Sequence, residues 1–134
     1  LLHHARAIAT QDHPRMAVWA PRAVAELRAR GEDHLAERAE INVATAWMNL
    51  GELGRAEARL RELLERYRRQ GPPTFVHWTL LLLGYTALFQ EDTAGADRYF
   101  AEGVAIEVPP RTHSPAAPLR ARAAFRRGEH ARAF

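Results

Sequence analysis

With 134 residues, 47% of them hydrophobic and 26% charged, the chain is the size of one ordinary domain and has enough apolar content to fold, which excludes an intrinsically disordered segment. All 19 basic residues are Arg, yet the formal net charge is only +3, so the arginine content does not make the chain a polycation. The lack of Cys excludes disulfides, thiolate metal sites and a cysteine nucleophile, and fits a reducing, cytoplasmic setting.

The Arg-minus-acid balance is +2 over residues 1–25, zero over 26–69, −4 over 70–110 and +5 over 111–134, so only the last segment is basic. His3, His4 and Arg6 interrupt the region where a signal peptide would need an unbroken apolar core. The chain opens on Leu1 without Met and reads as a piece of a longer protein.

Leu1 to Gln11 and a following run carrying Met16, Ala20, Val24 and Leu27 read as a first helix pair. Pro14 suits the start of the second of these helices, whereas Pro21 is expected to kink it or restart it. Leu35 to Leu50 is the next helix, with Ile41, Val43, Ala44, Trp47, Met48 and Leu50 apolar and Asp33 as its cap. Gly51 to Gly54 makes a tight turn. Beyond it Ala56, Leu60, Leu63, Leu64 and Tyr67 fall on one helix face, with Arg and Glu filling the other. Gly71-Pro72-Pro73 ends that helix, with Gly71 expected in a left-handed cap.

Thr74 to Gln90 is predicted as a helix without a single charged residue. A membrane span needs about twenty apolar residues. This run is shorter and includes His77, Thr79, Gly84 and Thr86, so a helix covered by protein on most sides explains it better. Asp92 caps the last predicted helix, Thr93 to Glu107, whose inner face is Ala96, Phe100 and Val104, and Pro109-Pro110 closes it.

Residues 31–71 laid over 71–111 repeat the same kinds of residue at an offset of forty: Val43 falls on Leu83, Ala44 on Gly84, Ala56 on Ala96 and Leu60 on Phe100. Small residues midway along each helix let a hairpin close tightly, which makes Ala44/Ala56 and Gly84/Ala96 the expected contact pairs. Gly128-Glu129-His130-Ala131-Arg132-Ala133 repeats Gly51 to Ala56 with four identities in six. The expected organisation is one domain, 1–134, made of a degenerate repeat at 1–33, full repeats at 34–71 and 72–111, and a truncated one at 112–134.

Leu83-Gly84, Glu91-Asp92, Ala96 and Phe100, and again Ala44, Trp47, Gly51-Glu52, Ala56 and Leu60, resemble the tetratricopeptide repeat. That pattern is a small residue in the first helix, a Gly-acidic turn, an Ala early in the second helix, and an aromatic or Leu one turn later. The resemblance implies an all-α fold, a right-handed superhelical stack of antiparallel helix hairpins. Because the usual repeat is about thirty-four residues, a forty-residue period implies longer helices or linkers, and Arg68 stands where a closing Pro is common. Long, Arg- and Ala-rich repeats of this style are similar to the helical regions of bacterial transcriptional regulators, which implies a cytoplasmic protein-interaction scaffold for a peptide, a protein partner or a second copy. In this family the first helices line a groove. The resemblance thereby implies a partner surface of Arg38, Thr45 and Asn49, then Trp78, Tyr85 and Phe89, then Arg122 and Arg126, suited to an acidic, hydrophobic peptide. A carboxylate clamp of the chaperone-tail type is not expected, since the chain has no Lys and offers Ile41 and Thr45 on that face.

No catalytic, cofactor or metal site stands out. The seven His residues never occur at the i, i+4 spacing with a nearby Glu that a helical zinc site needs, and no nucleophile elbow or phosphate loop is present. Glu52, Glu57, Glu62 and Glu65 alternate with Arg as on a solvated face, so an enzyme is not expected. Direct nucleic-acid binding would rest on Arg111, Arg120, Arg122, Arg126, Arg127 and Arg132, a cluster that serves a neighbouring repeat equally well. The alternative from another class is a small-molecule sensor whose ligand pocket borders the Trp78 to Phe89 helix.

Overall fold

The computed structural model describes residues 13–109, which form five α-helices: α1 (His13–Ala29), α2 (Asp33–Asn49), α3 (Leu53–Gln70), α4 (Pro73–Phe89) and α5 (Thr93–Val104). No strand occurs among the described residues, and the expected helix at Leu1 to Gln11 lies outside them. Successive helices begin twenty residues apart, at 13, 33, 53, 73 and 93. The forty-residue period is thus two helix-and-linker units. The helices α1, α2 and α4 have 17 residues each, α3 has 18 and α5 has 12.

Three of the four junctions close by one hydrogen-bond pattern. After α1, Gly31 N–H donates to the Arg28 carbonyl at 3.0 Å and Glu32 N–H to the Leu27 carbonyl at 2.9 Å. After α2, Gly51 donates to Met48 at 3.2 Å and Glu52 to Trp47 at 2.9 Å; after α4, Glu91 donates to Leu88 at 3.1 Å and Asp92 to Ala87 at 2.9 Å. This is the Schellman closure, which satisfies orphan carbonyls and requires a left-handed residue just past the helix. Gly31, Gly51 and Glu91 supply it, with φ of 73°, 84° and 64°. The acidic residue that follows opens the next helix: the carbonyls of Glu32, Glu52 and Asp92 each accept from an Ala four residues on, Ala36, Ala56 and Ala96, at 3.0 Å.

The junction between α3 and α4 departs from this pattern, and so does the expectation for it. Gly71 is not left-handed; its N–H continues the helical ladder to the Tyr67 carbonyl at 2.8 Å. Its need for glycine is steric, because a Cβ there would lie 2.8 Å from the Tyr67 Cα. Pro72 and Pro73 then end one helix and start the next, since Pro lacks the N–H a helix interior needs but suits its first turn.

The helices divide into two compact units between Ala56 and Glu57. In the first, α1 and α2 pair antiparallel: Met16 and Ala17 meet Ala46 near one end, and Val24 and Leu27 meet Ala36 and Ala39 near the other. Arg28 joins the same end by donating to Glu37 at 2.8 Å and Glu40 at 2.7 Å. Glu40 is only 4% exposed, so this pairing satisfies a carboxylate that water hardly reaches. Helix α1 runs unbroken through Pro21, so of the expected kink or restart the restart does not occur; Pro21 is exposed, so its ring meets solvent and one ladder hydrogen bond is lost. Asp33 is not a cap but the first residue of α2, the cap position falling to Glu32.

In the second unit α4 and α5 form another antiparallel hairpin, and Tyr67 from the end of α3 packs on Phe75 with ring centroids 5.3 Å apart. A Cβ added to Gly84 would sit 2.5 Å from Phe100 Cε1, so the small residue midway along α4 makes room for that ring. The expected partner Ala96 is buried a turn earlier. Gly103 comes against Leu80 and Leu81 in the same way. Asp92 caps α5 as expected, its Oδ1 accepting from Gly95 N–H at 2.9 Å. Val104, expected inside, is 72% exposed, and Gly103 takes its place. The cause is helical drift. Each i+4 step overshoots a full turn by about 40°, so Ala96, Phe100 and Val104 rotate away from α4 while an i+7 step from Ala96 returns to it.

Candidate interaction surface

Helix α4 has no charged side chain, and it is interior on nearly all sides. Thr79 and Thr86, seven residues apart, are fully buried; their hydroxyls donate back to the carbonyls of Phe75 at 2.7 Å and Leu82 at 2.8 Å, so neither is left unsatisfied. The aromatics pack among themselves. Phe75 and Trp78 stand 5.7 Å apart, Tyr85 and Phe89 6.4 Å, and Tyr85 meets Phe100 edge-on at 4.8 Å and 67°. Such tilted and edge-on pairs belong to packed cores. His77 fastens the end of α5 to α4, its Nδ1 lying 2.7 Å from the Gly103 carbonyl.

This arrangement covers four of the eight residues expected to line a groove. Trp78, Tyr85 and Phe89, together with Thr45 on α2, are between 6% and 8% exposed, so their faces are covered and not offered to a partner. The charge-free composition of α4 is the physical reason, because each apolar side chain gains by leaving water and nothing on the helix resists burial. Arg122 and Arg126 lie outside the described residues. Arg38 is exposed and Asn49 half-buried. The Asn49 amide donates to the Thr45 carbonyl at 2.9 Å, and the Thr45 hydroxyl to the Ile41 carbonyl at 2.9 Å.

Along α2 runs a stripe at helical spacing: Leu35, 46% exposed, and Arg38, also exposed, then Asn42 and Asn49, both half-buried, with the covered Thr45 between them. It carries one aliphatic side chain, one guanidinium and two carboxamides, of which Asn49 already donates to the Thr45 carbonyl. Two tryptophans border the first unit's surface under stacked guanidinium groups, Trp19 with Arg22 at 4.7 Å from the ring centroid and Trp47 with Arg55 at 4.5 Å. Sequence reasoning missed both stacks, although the i+3 spacing of Trp19 and Arg22 was the signal for one.

The outer face of α3 carries local ion pairs, Arg55 with Glu52, Arg59 with Glu62 and Arg61 with Glu57, while Arg68 reaches Glu102 on α5 at 2.7 Å. Among the described residues no group of three or more His, Asp or Glu could hold a metal ion, and no helix is long and apolar enough to cross a membrane. Compared with protein families, with curated proteins and with solved structures, the chain has no match.

Proposed function

We propose that this chain is a tetratricopeptide-like helical-repeat scaffold, cytoplasmic and part of a bacterial transcriptional regulator, which docks a peptide or protein partner or a second copy of itself and catalyses no reaction. The supporting observation is the recurrence of one helix-and-turn unit every twenty residues, closed three times by the same left-handed, acid-ended turn. A chain that repeats its scaffold in this way presents a series of side chains on successive helices, and that suits extended recognition. The α2 stripe of Leu35, Arg38, Asn42 and Asn49 is the surface assigned to it. A guanidinium recognises a carboxylate, the carboxamides recognise peptide groups, and Leu35 takes an aliphatic side chain.

Selection from a random peptide library on the immobilised chain, followed by calorimetric titration of the enriched sequences, tests this reading. Enriched peptides should combine a carboxylate with an aliphatic residue, and Arg38→Glu should weaken their binding by about tenfold or more, the loss of a charge-assisted pair. Failure to enrich any peptide, with stabilisation of the chain by small apolar compounds instead, would favour a ligand-sensing domain.

A further inference from the structure

We draw no further inference here: the strongest candidate, the outward stripe of Ala94, Asp97, Ala101 and Val104 on α5, carries nothing because no feature of the described residues shows what covers it.

Discussion

Glu91 occupies a backbone conformation that its two counterparts, Gly31 and Gly51, adopt freely. A side chain in the left-handed region costs about 1 kcal/mol or more. Glu91→Gly should therefore raise stability by about 0.5–1 kcal/mol, part of the gain being lost to the freer unfolded chain, while Gly51→Ala should lower it by about 1 kcal/mol. Urea denaturation reads both, and equal shifts of one sign would contradict the shared turn geometry. Gly84 poses a different kind of constraint. Its backbone is ordinary helix, so Ala there gains about 1 kcal/mol of helix propensity, but the new methyl would run into Phe100. In the native background the clash should win, with Gly84→Ala destabilising by about 1–2 kcal/mol. With Phe100→Ala already in place, the same change should stabilise. This reversal of sign in a double-mutant cycle identifies the contact, whereas a general intolerance of α4 to substitution would leave the sign unchanged.

At the scale of elements, the signals that could be read from the sequence were those with a local physical cause. Gly51-Glu52, Asp92 and Pro72-Pro73 punctuate the chain by backbone chemistry, and the three helices that follow them start within two residues of where these signals put them. The features that escaped depend on neighbours. Glu91 is left-handed because the α4 turn closes like the others, not because Glu favours that conformation. Val104 faces out because α5 drifts relative to α4, and Trp78, Tyr85 and Phe89 are interior because a helix without charge is covered wherever protein can cover it. Pro21 is the clearest case of tertiary context overriding a local rule. Its missing N–H leaves the Ala17 carbonyl without its ladder donor, a defect worth up to about 3 kcal/mol, yet α1 continues because Met16 and Ala20 on one side of the proline and Ala23 and Leu27 on the other are all buried. Since Pro21 is exposed, Pro21→Ala restores the bond without opening a cavity and should stabilise the chain by about 1–3 kcal/mol. A drop in melting temperature for that variant would mean that the ring itself is packed.

Across the whole molecule, if the chain is an interaction scaffold, substitutions that loosen the packing and substitutions that weaken partner binding should be separable, because packing rests on buried side chains and binding on exposed ones. Tyr85 and Arg38 are both groove candidates on sequence grounds, and they differ in burial: Tyr85 lies among Phe89 and Phe100, while Arg38 is exposed on α2. Tyr85→Ala should then cost about 3–5 kcal/mol, the range for deleting a large buried aromatic, with partner binding reduced only as far as the folded population falls. Arg38→Glu should cost about 1 kcal/mol or less, the range for the contacts of an exposed charge, and reduce partner affinity in the fully folded protein. Measuring both quantities for both variants distinguishes the two arrangements of the repeat. If Tyr85→Ala left the unfolding midpoint in place and abolished binding, the aromatic side chains of α4 would line the groove after all, and the stripe on α2 would lose its claim to the partner.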